Sequence, residues 1–277
     1  MKKRHKKKES LVCYLIVGIM AFLCFLPLWI TFASSISNET AIVKNGFSLL
    51  PQEPTLETYR YILKDKGTMI IRAFGVSFAV IFLGTLYSLF IMTTFAYTVA
   101  QKKEVFRFSS ALSFFAWFTT VFSGGILPWY ILMTRYYGLQ NNLFALFVPY
   151  GMNVFYMFVL KNSFKAIPEE LIEAARIDGL SEVRIFFQMF IPTMKSTYAA
   201  AAVITFMNAW NSYLWPKVIM TDNKAMTMPM LIANLITGYV TDYGMLMCGV
   251  LFCSIPTMIV FFVLQKQFAE GITGAVK

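Results

Sequence analysis

The chain has 277 residues, of which 58% are hydrophobic, 17% aromatic and only 14% charged, with a net charge of +10. A water-soluble domain carries about a quarter charged residues, so this composition excludes one and puts the chain in a bilayer. The basic residues bunch at the N-terminus and in loops without aromatic interleaving, which argues for membrane orientation and against nucleic-acid binding.

Six stretches free of Asp, Glu, Lys and Arg reach the roughly 18 residues that a spanning helix needs. They are 10–38, 73–101, 108–134, 136–160, 196–216 and 243–265. The expected fold is an all-α membrane protein with six transmembrane helices near 11–33, 73–98, 108–133, 143–160, 197–216 and 244–265. Residues 1–10 form a basic tail. The apolar run after it is longer than a signal-peptide core and lacks an A-x-A site, so it reads as an uncleaved first helix with Pro27 as a tolerated kink. The longest outer segment, about 34–72, contains Pro51 and Pro54.

In the third stretch Ser123-Gly124-Gly125-Ile126-Leu127-Pro128 breaks the helix, which membrane depth allows only where protein or a wet cavity covers the backbone. The fourth stretch contains Asn153. Residues 161–195 are a polar insert patterned as helix, turn and helix. Pro168 suits a first helical position, and Glu169 and Glu170 follow in the first turn, where the macrodipole favours carboxylates. Leu171, Ile172, Ala174 and Ala175 are expected to share a face. Gly179 supplies the positive φ of the exit, Ser181 the next N-cap, and Pro192 the far end.

The fifth stretch carries Asn208, Trp210 and Asn211 near its middle. Intramembrane amides face either a pathway or a neighbouring helix, and amide-plus-aromatic surfaces suit sugars. Segment 225–241, with Pro229, is too short for a confident span and reads as an external or re-entrant helix. With the N-terminus inside, the inner side holds 16 Lys and Arg and the outer side 8. That asymmetry puts both termini and the 161–195 insert in the cytoplasm.

Several chemistries are absent. No glycine precedes a lysine, so no phosphate-cradling G-x-x-x-x-G-K-[ST] loop exists. The single histidine, His5, sits in the basic tail and leaves no His-based triad or multi-His metal site. Cys13, Cys24, Cys248 and Cys253 fall inside apolar runs without ligand spacing and read as small membrane-buried hydrophobes. The span cores lack the charged residue that a proton-coupled carrier needs, which weighs against the alternative of a self-sufficient secondary transporter of a small polar solute.

The string IPEELIEAARIDGLSE (167–182), with Glu173-Ala174-Ala175, then Gly179 and Pro192, resembles the signature loop of ABC importer permeases. It is similar in particular to the carbohydrate-uptake, maltose-permease-like inner-membrane components. FSLLPQEPTLETYRYIL (47–63) resembles the family's first outer loop, which either touches an external binding protein or is a passive linker. FSGGILPWYILMTRYYGLQNNLFAL (122–146) looks like permeases for larger oligosaccharides. Gly271, Gly274 and Lys277 in the tail 266–277 resemble the family's C-terminal signature, although an ordinary frayed terminus would look alike. Ser196 departs from a proline common in the family.

The resemblance implies a cytoplasmic coupling helix between spans 4 and 5. In it Glu173, Ala174, Ala175, Asp178, Gly179 and Pro192 serve docking on an ATPase, while Gly271, Gly274 and Lys277 reach the ATPase dimer. Asn208, Trp210, Asn211 and Asn153 are candidates for a substrate path. The implied role is that of a non-enzymatic permease subunit in a bacterial cytoplasmic membrane. It imports a carbohydrate, expected to be an oligosaccharide. It would bind no cofactor itself, since ATP and Mg belong to the ATPase. Its partners would be a second permease subunit in a heterodimer, two ATPase subunits and an extracellular solute-binding protein.

Overall fold

The computed structural model describes residues 2–222, 225–236 and 242–274, and every regular element among them is helical. In chain order these are α1 (Lys2–Ser35), α2 (Glu39–Asn45), α3 (Glu57–Asp65), α4 (Gly67–Ala100), α5 (Ser109–Val121) and α6 (Ile126–Ile131). α7 (Leu143–Phe147), α8 (Val154–Lys165), α9 (Glu169–Ile177), α10 (Glu182–Ile185) and α11 (Ile191–Thr193) follow. The chain continues through α12 (Lys195–Trp210), α13 (Leu214–Ile219), α14 (Met228–Ile236) and α15 (Tyr243–Gly274).

Among the described residues, three unbroken segments are long and apolar enough to cross a membrane: Val12–Ser35, Gly67–Ala100 and Tyr243–Lys266. Two bent pairs, Ser109–Val121 with Ile126–Tyr136 (112°) and Leu143–Tyr150 with Val154–Lys165 (54°), raise the number to as many as five. The remaining expected span, 197–216, is here the 16-residue α12, a break at 211–213, and the short α13. Sixteen residues rise about 24 Å, less than the ~30 Å hydrocarbon core. Large apolar side chains such as Phe22, Phe82, Phe114 and Phe262 lie on the surface. Water would not tolerate so many, whereas a bilayer or a membrane partner would.

The chain divides into two units. The first comprises residues up to 70 together with 231–255. In it α1 runs unbroken through Pro27. Asn38 caps α2 by accepting from the Thr40 amide at 2.9 Å. The Glu39 carboxylate accepts from the Tyr243 and Gly244 amides, at 3.0 and 2.8 Å, at the start of α15. A carboxylate there satisfies orphan donors and complements the helix dipole.

The second unit comprises residues 71–230 and the chain from 256 onward. Its core joins Met92, Ala96 and Val99 of α4 to Ala116 of α5 and to Met157, Leu160 and Phe164 of α8. The same cluster continues into Ala175 of α9, Ile185 of α10, Phe190 and Met194, so the polar insert is rooted in the apolar bundle. Gly84 lets α4 approach the end of α7 closely: a Cβ there would stand 2.9 Å from Phe147 Cβ.

The expected break at 123–128 is present. α5 ends at Val121 and α6 begins at Ile126, with Gly125 at φ +79. The fourth stretch also breaks, at Gly151–Asn153, which a count of charges alone misses. Pro149, Gly151 and the capping Asn153 are its local causes.

Candidate functional site

The insert 161–195 folds as a helical hairpin: α9, a turn at 178–180, then α10. Pro168 is the N-cap of α9 and not its first helical residue, with ψ 134. Glu169 and Glu170 still occupy the first turn. Gly179 takes φ +81, which closes the helix, and the Leu180 amide donates to the Ala175 carbonyl at 3.1 Å. Ser181 Oγ accepts from the Arg184 amide at 3.4 Å and so caps α10. Pro192 does not end the second arm. A π turn (Phe186–Phe190) precedes it, and the chain stays helical to Thr193. The wider turn relieves the contact that a proline ring makes with the preceding turn.

The apolar residues of α9 do not share one face. Ile172 and Ala175 turn inward to the core, while Leu171, Ala174 and Ile177 are exposed, Ile177 at 86%. Residues three or four apart stack along a helix, so 172/175 and 171/174 are adjacent but separate stripes. Glu173 and Asp178 are exposed beside the outer stripe.

Polar contacts fix the hairpin from within and from α4. Arg176 Nε donates to Glu182 Oε1 at 2.7 Å across the turn, and Tyr97 Oη donates to Glu182 Oε2 at 3.3 Å. The Tyr97 ring packs edge-on against Phe164, Phe186 and Phe190. The Arg176 hydrogen bond holds the Glu182 carboxyl below its ordinary pKa. At the other end Lys102 Nζ pairs with Glu169 at 2.5 Å. Tyr97 and Lys102 were invisible to motif reading, since they lie far from the insert in sequence and lack a motif of their own.

The candidate path residues separate. Asn208 is exposed on the last turn of α12 and Asn211 is its exposed C-cap, so the amides sit at a helix end and not mid-span. Trp210 is 1% exposed and packs against Phe74, Phe78 and Phe206. Asn153 caps α8, its Oδ1 accepting from the Tyr156 amide at 3.2 Å. The breaks before α8 and after α12 meet where Tyr150 and Ser212 share a hydrogen bond, and Trp215 Nε1 donates to the Ala145 carbonyl at 2.7 Å. Tyr150 is the partner that sequence reading missed. Gly271 and Gly274 belong to the last turns of α15. Their surroundings and Lys277 lie outside the described residues.

Residues 75–274 match the model of the binding-protein-dependent transport system inner membrane component family. The chain belongs to this family. It is therefore an inner-membrane transport component rather than an enzyme, and in such importers a separate subunit hydrolyses ATP. It is 40% identical over 156 residues to the lactose transport system permease LacG of Rhizobium radiobacter, a match covering 56% of this chain and 57% of LacG. It is 29% identical to the polygalacturonan/rhamnogalacturonan transport system permease YtcP of Bacillus subtilis (strain 168), over 98% of this chain and 99% of YtcP. Its fold matches a chain of a bacterial ABC transporter involved in alginate import, with a TM-score of 0.82, 24% identity, and coverage of 96% and 98% of the two chains.

Proposed function

We propose that this permease imports a carbohydrate, and in particular an oligosaccharide. It would do so as one half of a heterodimer with a second permease, two ATPase subunits and an extracellular solute-binding protein. Six spans, with both termini and the hairpin in the cytoplasm, complete this reading. Support for the substrate class comes from the chain's similarity to LacG, a lactose transport permease, and YtcP, a polygalacturonan/rhamnogalacturonan transport permease. The observation that carries the mechanism is the outer stripe of α9. Leu171, Ala174 and Ile177 form an exposed apolar strip on a helix whose adjacent stripe, Ile172 and Ala175, packs into the bundle. The small Ala174 permits close approach, and Glu173 and Asp178 frame the strip with directional polar contacts. On this reading α9 is the coupling helix. Closure of the ATPase dimer pushes a stiff, Gly-terminated lever tied to α4 through Tyr97 and to the α4–α5 loop through Lys102.

Within this scheme Gly271, Gly274 and Lys277 reach the ATPase dimer, and Asn208 and Asn211 face the path. Trp210 and Asn153 support them by packing and by capping. The chain contributes no cofactor site of its own.

The test is ATP-driven uptake by proteoliposomes that hold the full set of subunits, with labelled mono-, di- and oligosaccharides and non-sugar solutes presented on the binding protein. Oligosaccharide uptake that requires ATP and the ATPase subunits is expected. Uptake driven by an ion gradient without those subunits would establish a secondary transporter instead. Uptake confined to non-sugar solutes would remove the carbohydrate assignment.

A further inference from the structure

Beside the hairpin the second unit contains a cavity of about 570 Å3, walled by the α4–α5 loop on one side and the α8–α9 connection on the other. Lys102, Lys103 and Lys165 line it, and the single carboxylate in its wall, Glu169, is turned to Lys102. Among the described residues, no carboxylate lies within ion-pair distance of Lys103 or Lys165. The wall is therefore net positive, although the insert taken alone in sequence is balanced between acid and base.

Two further features face the same space. α5 begins there without a side-chain cap, and the amide of Ser110, which lines the cavity, meets no acceptor among the described residues. Ser109 lines the cavity and is 5% exposed, yet its hydroxyl makes no hydrogen bond among the described residues. A cavity-facing hydroxyl on a buried residue, a free helix-start amide and unpaired ammonium groups are the donors that a phosphate oxygen satisfies. The floor is apolar, formed by Phe164, Ile167, Ile172 and Phe190.

We infer that this cavity binds the phosphate headgroup of an anionic glycerophospholipid, an inference that rests on α4, α5 and α8 being membrane-crossing. Their ends place the cavity at headgroup depth. The neighbouring Phe108, Phe114 and Phe115 are exposed and provide an apolar surface for acyl chains, where a soluble phosphate would gain nothing. Basic pockets between membrane helices are suited to such headgroups. A bound lipid would bridge the α4–α5 loop to the base of α9, alongside the Lys102–Glu169 pair.

The assembled transporter, purified with its partner subunits, would be equilibrated with vesicles of phosphatidylcholine with or without phosphatidylglycerol. Retained lipid would then be counted by native mass spectrometry. Retention of phosphatidylglycerol is expected, falling about fivefold for each of Lys103→Gln and Lys165→Gln, and surviving in Lys103→Arg/Lys165→Arg. Excess inorganic phosphate should not displace it. Equal retention by the native and Lys103→Gln/Lys165→Gln complexes overturns the inference. Loss to inorganic phosphate, with no preference over phosphatidylcholine, assigns the site to a soluble anion and overturns the lipid. Co-purification of the ATPase subunits, read in the same spectra, shows whether a failure lies with the site or with the importer reading. Should the double substitution fail to assemble, Lys103→Gln alone decides, since Lys103 is exposed and unpaired.

Discussion

Gly179 shows how much one backbone position carries. Its φ is +81, and a Cβ added there would meet nothing within 4 Å. Space does not demand glycine here; the left-handed conformation does. Gly179→Val should therefore cost roughly 1–3 kcal/mol of local strain and misdirect the turn without disturbing the core. Transport and transport-linked ATP hydrolysis should fall while membrane insertion stays normal, as read by paired uptake, ATPase and fractionation assays. Normal stimulation in a well-inserted variant would count against α9 as the coupling helix. The Arg176–Glu182 pair beside it is half exposed, so it contributes at most about 1 kcal/mol. The folded pKa of Glu182 is depressed, so that contribution is present above the ordinary carboxylate pKa and is lost as pH falls through the lowered one.

Helices and breaks were unequally legible. The hairpin could be read because Pro168, Gly179 and Ser181 are local signals acting within a few residues. The break at 123–128 could be read for the same reason. Which stripe of α9 faces inward could not, because Leu171 and Ile172 are equally apolar and only the neighbouring Phe164 and Phe190 distinguish them. The contacts of Tyr97 and Tyr150 with Glu182 and Ser212, 85 and 62 residues away, have no sequence signature at all. The end of α12 at Trp210 is the element whose reading changed most. Asn208 and Asn211 now stand exposed at a helix terminus beside the junction of two breaks, a place where irregular backbone needs a covering protein or a wet cavity. If these amides line the path, Asn211→Ala should lower uptake with an unchanged melting temperature in detergent. If they bond a neighbouring helix, the loss should be one of stability, about 0.6 kcal/mol on average. Unchanged uptake for both Asn208→Ala and Asn211→Ala would remove them from the path.

At the scale of the whole molecule, orientation rests on a charge count, 16 basic residues against 8. The structure distinguishes loop positions that suit a thiol probe from those that do not. Gln52 lies in the loop between α2 and α3, but its side chain bonds Asn45 and the Gly46 carbonyl, so substitution there would disturb the loop it reports on. Leu50 is 74% exposed and Val105 72% exposed, and both lie in loops. The positive-inside bias puts Val105, between Lys103 and Arg107, in the cytoplasm and Leu50 outside. In a background with the four native cysteines replaced, Leu50→Cys should react with a membrane-impermeant maleimide on intact cells. Val105→Cys should react only after lysis. The reverse pattern would turn the hairpin outward, away from any cytoplasmic ATPase. It would also place the Lys103 and Lys165 cavity at the opposite leaflet. Labelling of both residues on intact cells would mean that α4 ends without crossing the membrane.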